Sequence, residues 1–198
     1  MTIRKGEEWG SPVSSLTNLV VAGSDAELAQ LVARDAGPAY GLSGGDLHRS
    51  VGAPPRPGAG REVRRLPLDA LQVRVDDHVT LAVAHVVARN GWWRGPLLAV
   101  LNSPYVGDWN AAPRAHPNDG RFDVVEVSEA MSIRQRLQAR RRLSLGAHVP
   151  HPGIAVRTGE NAVWTFERPR DVYVDGVVRG RATRLEITIC PDHFSIHI

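Results

Sequence analysis

Three short stretches of this 198-residue sequence carry residue types at spacings suited to chemistry. In Gly44-Gly45-Asp46, two glycines free the backbone to approach phosphate oxygens. A helix opening directly behind them would turn its positive end toward an anion. Asp46 would then hold Mg²⁺ against the phosphates, because hard cations take oxygen ligands. The same tripeptide also reads as a plain Gly-rich turn with Asp46 as a helix N-cap. Asp119 and Asp123 flank Gly120 and offer a divalent cation two carboxylates. With too few further oxygen ligands to name, they read rather as a tight turn satisfied by local N–H groups. Asp175-Gly176 is a strong turn pair. His148 and His151 share a Pro-rich loop but lack a third metal ligand. His148 therefore reads as a hydrogen-bonded structural residue or a neighbour of the phosphate site.

The elements that must position these residues change character along the chain. Asn18 to Ala22 is a short apolar run of strand type. Ser24 with Glu27 forms a capping-box signature, and Leu28, Leu31 and Val32 recur at helical spacing, with Gly37 placed to end the helix. Residues 41 to 52 read as a Gly-rich loop opening a short helix, and residues 53 to 60 as Pro/Gly punctuation at a boundary. Beyond that point the apolar period becomes two. Val73 and Val75, the turn residues Asp76 and Asp77, and then Val79, Leu81 and Val83 predict a hairpin. Further strands are predicted at 97–101, 124–127, 154–156, 162–166, 172–174, 185–189 and 194–198. One helix interrupts them. Ser132 and Gln135 cap it, Ile133 and Leu137 give it an apolar stripe, and Arg134, Arg136, Arg140, Arg141 and Arg142 cover its other faces. The predicted fold class is α+β, a short N-terminal α/β element followed by an antiparallel β-sandwich with one inserted helix. The expected division is residues 1–60 and 61–198.

The bulk numbers set bounds. An apolar fraction of 42% is ordinary for a globular chain, and no apolar run approaches the roughly 18 to 20 residues of a membrane-spanning helix. The single cysteine, Cys190, excludes an intrachain disulfide and a Cys-based zinc site. With a charged N-terminus, these features point to the cytoplasm. The formal charge is +3 with 24 basic residues, nearly all arginine, whose planar fork suits phosphate and carboxylate. The basic cluster of the helix suits an anionic membrane surface, a peripheral location, or simply a solvated face. It is too short, and too poor in stacking aromatics, for nucleic acid.

The stretch NSPYVGDWNAAPRAHPNDGRFDVVEV, Asn102 to Val127, resembles the bacterial diacylglycerol kinase and sphingosine kinase-like lipid kinases. They show the same order of Asn, Gly-rich turn, Ala-Pro and Pro-x-Asp-Gly-x-x-Asp. Gly146-Ala147-His148 with Pro152, Val174-Asp175-Gly176 and the closing segment 191–198 continue that order, and Arg65-Leu66-Pro67-Leu68-Asp69 precedes it. The resemblance covers about residues 61 to 198, and small actinobacterial proteins labelled diacylglycerol-kinase-like are similar, down to the doubled Trp92-Trp93. It implies ATP and Mg²⁺ as cofactors, with Gly44, Gly45 and Asp46 at the nucleotide. It further implies Asp175 as the base that takes a lipid hydroxyl's proton, and a structural Mg²⁺ at Asp119 and Asp123. Trp92, Trp93 and Trp109 would line an acyl-chain cleft.

The family's Gly-Thr after Gly-Gly-Asp is Leu47-His48 here, and its Glu after Asp-Gly is Val177. Two readings therefore stand. One is an ATP-dependent phosphotransferase acting on a lipid hydroxyl. The other is a non-catalytic lipid- or ligand-binding β-sandwich module descended from such a kinase. Chemistry repurposed around Asp46, His148 and Asp175 is a third, with no substrate named. A short N-terminal lobe would leave a sheet edge needing cover, which favours a homodimer.

Overall fold

The computed structural model describes residues 9–13, 18–35, 37, 39–54 and 63–198. The Pro/Gly punctuation expected at 53–60 lies mostly outside these residues. The described part opens with strand β1 (Ser11–Val13), then β2 (Leu19–Ala22), helix α1 (Asp25–Ala33), β3 (Ala39–Leu42) and the short helix α2 (Asp46–Ser50). There follow β4 (Val63–Val75), β5 (His78–Ala82), β6 (His85–Arg89), β7 (Leu97–Leu101), β8 (Tyr105–Val106), β9 (Trp109–Asn110) and β10 (Phe122–Val127). Helix α3 (Ile133–Leu143) leads to β11 (Ile154–Gly159), β12 (Asn161–Val174) and β13 (Val177–His197).

Ser24 caps α1 as its sequence predicts, its hydroxyl accepting from Glu27 N. The helix stops at Ala33, short of Gly37, and the chain turns at Asp35 with φ +48°. The β4–β5 hairpin forms across Asp76-Asp77, with Val75 opposite His78. The pairs of short strands expected at 162–166 with 172–174, and at 185–189 with 194–198, are single long strands carrying bulges. A bulge lets a strand bend without ending, so β12 and β13 run past positions where the alternation breaks.

The antiparallel run β4-β13-β12-β6-β7-β10-β11 forms most of an eleven-stranded sheet. Its two halves pack face to face. Leu71, Val73 and Val75 of β4 and Leu185 and Ile187 of β13 meet Val86, Leu98, Val100, Phe122 and Val124 from β6, β7 and β10. Each of these side chains, once buried, contributes about 1.5–3 kcal/mol. All five residues of β7 are buried, because both of its faces are covered. Alternate residues Val87, Leu97, Ala99, Leu101 and Val125 face the other way, into a second cluster.

The N-terminal α/β element joins the sheet through β3, which pairs in parallel with both β2 and β13. A third cluster, with Leu28, Leu42, Leu47, Leu66, Leu68 and Ile196, packs α1 and α2 against β4 and β13. Among the described residues, no helix is long and apolar enough to cross a membrane.

Candidate functional site

Two strand–turn–helix units set up an acidic node. β2 and β3 run parallel, so the turns behind them, Gly23-Ser24 and Ser43-Gly44-Gly45, lie side by side at the strand ends. A Cβ on Gly44 would stand 2.6 Å from the Gly23 carbonyl oxygen, and one on Gly45, at φ +98°, 2.5 Å from Asp25 Oδ1. Only glycine fits at either place. Gly45 is the N-cap of α2 and Asp46 its first helical residue, so Asp46 does not cap the helix.

The cap is supplied from elsewhere. The buried Asp25 carboxylate accepts the backbone N–H groups of Asp46 at 2.6 Å and Leu47 at 3.1 Å. Asp46 turns its own side chain outward, accepting Gly107 N at 2.9 Å and standing 3.4 Å from His85 Nδ1. Asp175, in the β12–β13 turn, accepts the N–H groups of Val83, Ala84 and His85 at 2.9, 2.9 and 3.0 Å.

Burial pushes the Asp25 carboxyl up to about 6, helped by the charge of Asp175 and opposed by the two α2 N–H groups. Burial likewise raises Asp175 to about 6 against its three N–H donors. It lowers the His85 imidazole, while Asp46 and Asp25 pull it upward. This node is poorly suited to a phosphate. The α2 N–H groups freed by the glycines are already held by Asp25, and an anion there would face Asp46 and Asp175 as well.

Asp119 and Asp123 belong to a different carboxylate group. Asp69, buried in β4, accepts Gly120 N at 2.8 Å, Asp192 N at 2.8 Å and Asn118 Nδ2 at 3.2 Å. It thereby ties the 118–120 turn to the bulge of β13. Asp119 accepts Arg121 N within the turn. Asp123 is buried on β10 and raised to about 6 by burial and then by the Asp119 charge. The two carboxylates are thus neighbours with a capacity for a cation. Among the described residues, however, no group of three or more His, Cys, Asp or Glu side chains is arranged to hold a metal.

A cleft lies between the β6-β7-β10 face and α3. It is a cavity of ≈ 310 Å³, walled chiefly by Val87, Trp92, Trp93, Leu97, Trp109 and Leu143. Trp92 and Trp109 meet edge to face at 4.8 Å. The Arg89 guanidinium lies between the rings of Trp92 and Tyr173, at 4.1 and 4.5 Å. Arg140 stands over Trp93 and Trp109 at 5.2 and 5.7 Å.

The helix that roofs the cleft is oriented against the apolar stripe expected from its sequence. Its inward residues are Arg136, Ala139 and Leu143, while Ile133 and Leu137 are exposed. Arg136 makes this work by donating to the carbonyls of Met131, Trp92, Ser128 and Gly95, which lock the helix to two loops. The acidic node adjoins this cleft. His85 shares a face of β6 with Val87, and Val106, a cleft residue, precedes the Gly107 that donates to Asp46.

Of the residues singled out from sequence, Gly44, Gly45, Asp46 and Asp175 come together, Asp119 and Asp123 form a second pair, and His148 lines the cleft. Asp25 and His85 stand in no motif of the sequence, and Asp69 enters only as the end of the Arg65–Asp69 stretch, without a site role. Asp25 carried a signal, an acidic residue directly behind a strand and a Gly-Ser turn. His85 carried none.

Comparison with known proteins reaches the same family as the motifs. No curated protein matches the chain significantly. Three solved structures from Bacillus anthracis str. Sterne resemble it. One, described as a diacylglycerol kinase, matches with a TM-score of 0.61 at 14% identity, covering 90% of this chain and 74% of that one. Two others, provisionally assigned to the same kinase class, match at 0.65 and 0.67 with 13% identity, covering 90% of this chain and 76% and 77% of theirs. At such identity the likeness is one of fold. The model of the YegS C-terminal NAD kinase beta sandwich-like domain matches residues 57–197. That match spans most of the sequence, and the chain belongs to this family.

Proposed function

We propose that this protein binds a lipid, taking acyl chain into the tryptophan-walled cleft, and that it does so without transferring phosphate from ATP. The observation that carries the reading is the cleft. It is an apolar cavity of ≈ 310 Å³ with arginines over its aromatic walls, within the usual size range of small-molecule sites. The outer face of α3 favours a bilayer as the source. Ile133 and Leu137 are exposed beside Arg134, and Leu145 beyond the helix is 79% exposed. Apolar and basic groups mixed on one face suit an anionic membrane surface.

The second reading is the diacylglycerol-kinase-like phosphotransferase, with Asp175 as base and Mg²⁺-ATP at Gly44, Gly45 and Asp46. It is favoured by one observation, the proximity of the acidic node to the cleft. The Asp25 carboxylate on the α2 N–H groups argues against it. So does Asp175, whose oxygens are engaged by three backbone donors and which thus acts as a brace.

The test is titration of the full chain with dioctanoylglycerol below its aggregation limit, followed by tryptophan fluorescence. Saturable quenching that is lost in Trp109→Ala is the expected result. No quenching, together with turnover of Mg²⁺-ATP in the presence of the lipid, would replace the first reading by the second.

A further inference from the structure

The loop behind α3 folds back on the helix, Ala147 N donating to the Arg142 carbonyl at 3.0 Å. Between helix and loop lies a second cavity of ≈ 270 Å³, walled by Gln138, Ala139, Arg141, Arg142, His148 and His151. It is more polar than the cleft. Two guanidinium groups, an amide and two imidazoles line it, and no carboxylate does. Among the described residues, the Arg141 and Arg142 side chains have no ion-pair partner.

His148 lines both cavities and is only 4% exposed. Neither of its ring nitrogens has a partner in hydrogen-bond geometry. The Ala111 backbone lies near enough to favour the protonated ring, but burial outweighs it and lowers the imidazole. Buried polar groups are normally satisfied, so an imidazole with no well-formed hydrogen bond, set between an apolar and a basic cavity, points to a ligand atom.

We propose that the second cavity receives the phosphate head of an acylated phosphomonoester whose tail lies in the tryptophan cleft. This inference rests on the lipid-binding reading above. A phosphomonoester offers oxygens to two guanidinium forks and to His148 and His151 at once, and charge-assisted pairs of this kind are the strong ones. The cavity sits beside the last turn of α3, whose carbonyls repel an anion. The attraction must therefore come from the side chains, which makes Arg141 and Arg142 decisive. In this pose the head lies at the α3 end of the cleft.

The experiment is calorimetric titration of the full chain with three probes: dioctanoyl phosphatidic acid, dioctanoylglycerol and inorganic phosphate. Each is run against the wild type and against Arg141→Gln/Arg142→Gln, two exposed positions. The phosphate ester is expected to bind about tenfold or more tightly than dioctanoylglycerol. The double variant should lose that factor and leave the dioctanoylglycerol affinity unchanged. The His148 imidazole, followed by NMR, should titrate at higher pH with the ester bound.

Equal wild-type affinities for the two lipids would overturn the head-group site and leave the lipid reading standing. Failure of both lipids to bind would remove both. A double variant that keeps the preference would place the head elsewhere. Inorganic phosphate binding as tightly as the ester would make the cavity a site for free phosphate and overturn the lipid assignment.

Discussion

The acidic node and the basic cavity both adjoin the cleft, yet they differ in how their polar atoms are engaged. At the node, Asp25 and Asp175 together accept five backbone N–H groups, and Asp46 accepts a sixth. In the cavity beside α3, among the described residues, two guanidinium groups have no ion-pair partner and a buried imidazole has only the Ala111 backbone nearby, outside good hydrogen-bond geometry. A polar group whose valences are met by its own chain stabilises the fold. One left unmet, and kept close to an opening, is available to a ligand. By that criterion the carboxylates of the node read as structural and the cavity beside α3 as the proposed binding feature, while His85 Nδ1, buried at the node with only the 3.4 Å approach to Asp46, is met less fully than its neighbours.

The largest test of this contrast is Asp175→Ala. It strands three buried N–H groups, each worth about 1–3 kcal/mol when left unpaired. A loss of about 3 kcal/mol or more is expected in urea unfolding. If the variant keeps its stability and loses only a catalytic activity, the contrast fails.

Next in size is Trp109→Ala, which removes one cleft wall and half of the edge-to-face pair with Trp92. A fall of about tenfold or more in dioctanoylglycerol affinity is expected by fluorescence titration.

Asp123→Asn sharpens the comparison through pH. The Asp123 carboxyl is raised to about 6, so the folded state holds this proton more tightly than the unfolded chain. Its contribution to stability is therefore lost as pH rises from about 4 through 6. The asparagine variant should melt higher than wild type at pH 7.5, with the advantage fading between pH 6 and 4 in a thermal scan.

The smallest expected effects are two absences of change. Mg²⁺-ATP at millimolar concentration should leave the melting temperature of the wild type unaltered, because a ligand raises it only by binding the folded state. Arg141→Gln should stay within about 0.5 kcal/mol of wild-type stability, as an exposed position. A clear ATP-dependent rise would break the reading of the node as a brace.

Much of the fold was legible because it rests on local signals. The Ser24 and Ser132 caps, the Asp76-Asp77 and Asp175-Gly176 turns and the limits of β7 all follow from side chains acting on nearby backbone. The union of 162–166 with 172–174 into one strand was not legible, since a bulge interrupts the period without ending the pairing. Nor was the facing of α3. Ile133 and Leu137 form the expected stripe, but Arg136 finds four carbonyls, two in the segment before the helix and two in the distant 92–95 loop, and the stripe is left exposed. Within the site, Asp46 and Asp175 stood out by their motifs. Asp25 did not, and the role of Asp69 was not visible in its motif, because their partners lie 21 residues away or more, up to 123, and leave no spacing to read.

The length of β13 has a kinetic consequence. This one strand pairs with β3, β4 and β12, and the Asp69 carboxylate that fixes its bulge reaches a residue 123 positions later. Neither the node nor the third cluster is complete until that strand has docked. A topology dominated by such distant pairings folds slowly, on the order of milliseconds to seconds. During that interval β3 and β4 present open edges to other chains, so the yield on refolding should fall steeply as protein concentration rises.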